Sequence, residues 1–193
     1  MASTIRLIAG LGNPGPRYSG TRHNAGSWFA DGLARRLGEA FKDESKFSGA
    51  VARSGELRLF KPDTFMNESG YAVARIAGFY KVQPGEILVA YDDLDLPPGT
   101  VRLKRDGGHG GHNGLRDVEV HLGSRGFTRV RIGIGHPGDR DAVTPWVLGR
   151  PGADDERAIR DAIERVLDVM PMVLAGDFDK AATELHTESK PAE

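Results

Sequence analysis

A chain of 193 residues, 39% hydrophobic and 27% charged, is long enough for one domain with a sizeable core. It contains no cysteine, which excludes disulfides, thiolate metal sites and a cysteine nucleophile, and suits a reducing cytoplasm. Its net charge of −1 conceals an asymmetry: residues 1–50 carry seven Lys/Arg against four Asp/Glu, residues 101–150 nine against five, and residues 151–193 five against eleven.

A basic region beside an acidic C-terminal region suits a polyanionic partner on one face, although an ordinary solvated surface looks the same. No apolar run approaches the roughly 18 residues of a membrane span. Residues 1–4 lead into the first strand with no signal-peptide hydrophobic region.

The run Ile5, Leu7, Ile8, Ala9 reads as a buried strand that stops at Gly10-Leu11-Gly12-Asn13-Pro14-Gly15. Gly10, Gly12 and Gly15 spell the dinucleotide fingerprint. Pro14 and Pro16 flank the last glycine and Gly20 follows, so no helix opens in time to meet a pyrophosphate. Position 35, where the ribose-binding acid would stand, falls inside an amphipathic helix. The glycines read instead as a tight turn that admits another group close to the backbone. His23 follows in a loop between a strand end and a helix start, the place where open α/β sheets handle ligands.

Asn24 reads as the cap of a helix running to about Gly38, with Phe29, Leu33, Leu37 and Trp28 inward. Residues 46–53 and 57–61 read as a hairpin around Ser54-Gly55. The loop 63–67 feeds a helix carrying Val73, Ile76, Ala77 and Tyr80. Ile87-Leu88-Val89-Ala90 is a central strand ending at Tyr91-Asp92-Asp93. Val101 to Lys104 alternate as a half-exposed strand, and a glycine-rich loop, 107–114, leads to a short helix with Leu115, Val118 and Leu122 inward. Val130, Ile132 and Ile134 form the last strand, with Arg129 and Arg131 on its opposite face. Residues 139–152 read as an irregular, mobile cover. A helix from about Asp154 to Leu174 follows, kinked at Pro171, then a short one with Phe178 and Leu185. There is no internal repeat and no linker.

Loops at strand ends thus carry Asn13, His23, Asn67, Asp92 and His136, and the glycine-rich loop adds Asn113. A histidine with a carboxylate is the simplest general-base pair at neutral pH. Asparagine offers a donor and an acceptor without adding charge. Taken singly, each of these residues also fits a cap or turn role. His109-x-x-His112 has the look of a metal pair, but no third ligand stands nearby. His121 and His186 read as inert helix-surface residues. There is no G-x-S-x-G elbow and no P-loop.

In order along the chain, GLGNPGPRYSGTRHNAG, KPDTFMNESG, YDDLDLPPG, GGHGGHNGLRD, RVRIGIGHPG and WVLGRP resemble bacterial peptidyl-tRNA hydrolases, over roughly residues 5–186. The resemblance implies a single α/β domain, residues 1–186, with a twisted mixed sheet flanked by helices; residues 187–193, at the terminus, read as a disordered tail. It implies hydrolysis of the ester between an N-blocked aminoacyl or peptidyl group and the 3′ end of tRNA, by a cytoplasmic monomer without metal or cofactor. His23 resembles the general base, Asp92 its supporting carboxylate, and Asn13 the residue that discriminates N-blocked from free aminoacyl substrates. Tyr18, Phe65, Asn67 and Asn113 resemble contacts to the substrate end, and Met66 part of the floor. Arg102, Lys104, Arg105 and Arg131 resemble a patch for tRNA phosphates. Direct attack by activated water fits the residues independently, since it needs only a base and a polarising shell. Other readings stand beside it: a non-catalytic RNA-binding protein on the same scaffold, a hydrolase of small esters, and a metal hydrolase.

Overall fold

The computed structural model describes residues 4–188. Its strands are β1 (Leu7–Gly10), β2 (Lys42–Glu44), β3 (Gly49–Ser54), β4 (Leu57–Pro62), β5 (Ile87–Asp93), β6 (Val101–Lys104) and β7 (Thr128–Gly133). Its α-helices are α1 (Ala25–Leu37), α2 (Ser69–Phe79), α3 (Asn113–Leu122), α4 (Val143–Val147), α5 (Ala153–Leu174) and α6 (Phe178–Glu188). The strands form one sheet in the order β2-β3-β4-β1-β5-β7-β6. The central four, β4, β1, β5 and β7, are parallel, and the outer pairings are antiparallel. The domain is therefore α/β with a mixed sheet.

Alternation along the central strands builds a core on each face. Ile8, Leu88 and Ala90 point to one side, against Phe29 and Leu33 of α1 and Ile159, Ile163, Val166 and Met170 of α5. Leu7, Ala9 and Val89 point to the other, against Val73 and Ile76 of α2 and Leu115 and Val118 of α3. β1 and β5 are buried along their whole length, as strands covered on both faces must be.

Helix α1 is seated on the sheet backbone to backbone. A Cβ on Gly26 would lie 2.2 Å from the Ala90 carbonyl oxygen, and one on Gly10 would lie 2.4 Å from the Gly26 carbonyl oxygen. The fingerprint-like glycine at the end of β1 therefore serves close approach of a helix, as a bare backbone allows.

Several elements differ from the sequence reading. Residues 42–44 form an edge strand, which their charged run Lys-Asp-Glu hides, and Ser45–Phe47 is a 3-10 turn, so β3 starts only at Gly49. β5 runs three residues beyond its apolar stretch, because Tyr91, Asp92 and Asp93 continue the ladder with β7. Arg129 lies in the interior, with its guanidinium donating to the carbonyls of Gly107 and Arg125. Residues 139–152 are only partly irregular: Asp139 caps a 3-10 turn, Arg140–Ala142, that leads into α4, and residues 148–152 alone form an irregular connection to α5. α5 runs through Pro171 to Leu174. α6 extends to Glu188, so residues 187 and 188 are helical; the rest of the expected tail lies outside the described residues. His186 on that helix is not inert, since its Nε2 accepts from the Leu103 amide of edge strand β6 at 3.1 Å. Among the described residues no helix is long and apolar enough to cross a membrane.

Candidate active site

The 3-10 turn Arg22–Asn24 precedes α1 and sets His23 beside the end of β5. Asp92 continues the register of Leu88 and Ala90, is 2% exposed, and offers its carboxylate to two histidines. His23 Nδ1 lies 2.8 Å from Oδ2 and 3.0 Å from Oδ1. His112 Nε2 lies 2.8 Å from Oδ1. His112 also caps α3, its Nδ1 accepting from the Leu115 amide at 3.1 Å. A nitrogen that accepts from an amide carries no proton, so the His112 proton sits on Nε2 and is donated to Asp92. His23 likewise donates from Nδ1, and its Nε2 keeps a free lone pair with no hydrogen bond among the described residues. The two imidazoles stand 5.0 Å apart, and Tyr91 packs edge-on to His112.

Electrostatics follow from this arrangement. Burial pulls the His23 pKa down, but the Asp92 charge and hydrogen bond outweigh it and leave the pKa above the ordinary imidazole value. Burial pushes the Asp92 carboxyl up, and the two histidines more than reverse that, holding it well below the usual carboxylate range. Burial, with the nearby Asp93 charge, pushes the Tyr91 phenol up to about 12.

A cavity of about 170 Å³ opens at this triad. His23, Asp92, His112 and Asn113 line it, with Lys104 and Arg131 at one side and Val143, Thr144 and Val147 of α4 at another. His109 lines it too, its Nδ1 accepting from the Gly111 amide. Asn113 is exposed at the first turn of α3.

Asn13 and Asn67 lie outside that lining, joined to each other's loops. Asn13 Oδ1 accepts from the Met66 amide at 2.7 Å, which ties the end of β1 to the 3-10 turn Met66–Glu68 that carries Asn67. Asn24, expected as a cap, instead holds the Asn13 backbone: its Oδ1 accepts from the Asn13 amide and its Nδ2 donates to the Asn13 carbonyl, both at 2.9 Å. Met66 is buried under α3, its sulfur 2.4 Å from where a Cβ on Gly114 would lie. Asn67 is exposed and makes no side-chain hydrogen bond among the described residues. Phe65 is 56% exposed and meets Tyr18 edge to face, with ring centres 6.3 Å apart.

The four cations of the expected phosphate patch are not equivalent. Arg131 is tied to Asp93 at 2.7 Å and Arg105 to Asp179 at 2.9 Å. Lys104 is exposed and has no ion pair among the described residues, and Arg102 donates to the Val101 carbonyl. His136 accepts from the Gly138 amide outside the cavity. The residue that the structure adds to the candidate site is His112, which the sequence reading treated only as half of a possible metal pair. Its signal was its place just before Asn113 at the start of a helix, where a capping side chain belongs.

His23, Asp92 and His112 also form the one group of His and acidic residues found among the described residues that could ligate a cation, with their candidate atoms within 4.8 Å. Their 2.8 Å separations are those of charge-assisted hydrogen bonds. Two ligands of one tetrahedral zinc would sit about 3.4 Å apart. The donor set is thus arranged for proton holding, and a cation would have to prise it open.

The chain is similar to proteins of one kind. The family model described as peptidyl-tRNA hydrolase matches residues 7–193. A peptidyl-tRNA hydrolase of Coxiella burnetii is 54% identical over 187 residues, covering 97% of this chain and all of the relative. One from Neisseria meningitidis is 50% identical over 192 residues, covering 97% of this chain and all of that one. The crystal structure of the peptidyl-tRNA hydrolase of Acinetobacter baumannii superposes with a TM-score of 0.93 at 43% identity, over 96% of both chains.

Proposed function

The chain belongs to the peptidyl-tRNA hydrolase family, whose reaction is hydrolysis of the ester joining peptide to tRNA, and we propose that His23 is the base that activates the attacking water. The observation that carries this reading is that His23, which lines the cavity, donates from Nδ1 to buried Asp92 and leaves Nε2 without a hydrogen bond among the described residues. Water attacks the ester carbonyl as one of its protons passes to Nε2. The resulting imidazolium is stabilised by Asp92, itself held by His112. The tetrahedral intermediate then expels the 3′ oxygen, which takes the proton from His23, releasing tRNA and peptide.

Asn113, which lines the cavity, and Asn67, on the 3-10 turn that packs against α3, are the donors we assign to the water and the developing oxyanion. Asn13 Oδ1 is committed to Met66, so its Nδ2 is the group left to meet the carbonyl of an N-blocked substrate. Tyr18 and Phe65 offer aromatic faces to the substrate end, above the Met66 floor. Lys104 and Arg131 line the cavity's basic side, and Arg102 on β6 and Arg105 just beyond it extend the patch where tRNA phosphates would lie. The absence of cysteine supports a cytoplasmic enzyme.

Hydrolysis of an N-acetylated aminoacyl-tRNA in EDTA tests the reading. Wild type should turn over, and His23→Ala should lose on the order of 100-fold or more. Retained activity in His23→Ala would move the base elsewhere. Loss of wild-type activity in EDTA, restored by zinc, would establish a metal hydrolase at the same triad.

A further inference from the structure

Arg22 stands immediately before His23 and is buried despite its charge. Its guanidinium stacks on the Trp146 ring of α4 at 3.5 Å, and Nη1 donates to the Trp146 carbonyl at 3.0 Å. Its backbone amide donates to the Gly149 carbonyl just beyond α4. Trp146 in turn donates from Nε1 to the Gly135 carbonyl at 2.9 Å, which fastens α4 to the segment following β7. The same helix supplies Val143, Thr144 and Val147 to the wall of the cavity that holds His23.

Burying this guanidinium is costly. Its Nε has no hydrogen-bond partner among the described residues. An apolar side chain of similar reach, such as methionine, would avoid that desolvation penalty. It could neither donate to the Trp146 carbonyl nor stack as a planar cation on the indole.

We infer that Arg22 is a positioning residue, which through Trp146 locks α4, the cavity wall, to the turn that carries His23. This rests on His23 being the base. The 139–150 segment is then not a loose cover. A substrate pressing on α4 acts on the backbone of Arg22, and the adjacent imidazole moves with it. Displacements of about 1 Å at a reacting group can cost on the order of 100-fold in rate. The latch therefore bears on the chemical step more than on tRNA affinity.

The test is steady-state and single-turnover hydrolysis of N-acetylated aminoacyl-tRNA by wild type, Arg22→Met, Trp146→Ala and the double variant, with His23→Ala alongside. Each single variant should lose roughly 10- to 100-fold in kcat, with KM within about threefold. The double should be no worse than the poorer single, because both remove one contact. Arg22→Lys, which can donate to the carbonyl but cannot stack, should recover part of the loss. Trp146→Ala with kcat within threefold of wild type overturns the proposal even where Arg22→Met fails to fold. Multiplicative losses in the double variant, or losses confined to KM, also overturn it. An active His23→Ala would instead overturn the assignment of the base.

Discussion

At the scale of residues, Asp92 does the organising, and its two partners can be separated experimentally. The His23 pKa is raised, and a base works only when neutral, so the acidic limb of kcat/KM should lie above pH 6.5. Asp92→Asn removes the charge that raises it, so that limb should move to lower pH while kcat falls. A limb that stays in place would disconnect His23 from Asp92. The pair also affects stability. The depressed Asp92 pKa contributes stability present above its ordinary value of 3.8 and lost as pH falls through the folded value. The raised His23 pKa contributes stability present below 6.5 and lost as pH rises through the folded value. Both are present only between those limits, so the unfolding free energy of wild type minus that of Asp92→Asn should peak there. His112 plays two parts, carboxylate partner and helix cap, and asparagine can replace only the second well. His112→Asn and His112→Ala should both lose activity and the stability carried by the Asp92 bond, and His112→Ala should be the less stable by a further ~1 kcal/mol, the worth of the cap, in urea titration. Equal activity in wild type and His112→Asn would reduce this histidine to a cap.

At the scale of elements, the site depends on how tightly α1 sits on the sheet. A methyl group on Gly26 would meet the Ala90 carbonyl oxygen and the Leu11 amide nitrogen, both backbone atoms that cannot rotate aside. Gly26→Ala should therefore cost about 3 kcal/mol or more, and what folds should be slow, since His23 is carried on the 3-10 turn that leads directly into α1. A thermal midpoint within a degree or two of wild type would show that α1 can lift without harm. Much of this layout was legible in the sequence. The continuous apolar run of β5, the stripes of α1 and α5, and His23 and Asp92 at strand ends all follow from periodicity and from where strands stop. His112 was not legible as a partner of Asp92, because the glycine-rich loop between them has no periodic pattern from which its path can be read. The same holds for β2, whose three residues are charged, and for α4, whose Pro145 and neighbouring glycines look like a loop when read alone. Asn24 looked like a cap and turned out to brace the Asn13 backbone, since a short amide can serve either role and only the fold decides which.

At the scale of the whole molecule, the charge asymmetry becomes a prediction about how tRNA is held. The acidic C-terminal region does not stand apart from the basic one. Asp179 of α6 occupies Arg105, and Asp93 occupies Arg131, while Lys104 projects at the cavity rim without an acidic partner among the described residues. A phosphate gains most from a cation that need not first give up a carboxylate. Binding of deacylated tRNA to the full chain, measured between about 50 and 200 mM salt, should follow a linear log–log dependence. Lys104→Met should flatten its slope by roughly 0.7 to 0.9, the value for one lost phosphate contact. Arg105→Met should flatten it less, and Asp179→Asn should steepen it by freeing Arg105. If Lys104→Met leaves the slope unchanged while Arg105→Met flattens it by a full contact, tRNA displaces α6's carboxylate on binding. The C-terminal helix would then be a competitor for the phosphate backbone rather than a brace for β6. If neither variant changes the slope, tRNA lies on another face, and the basic edge serves only to hold α6 and Asp93.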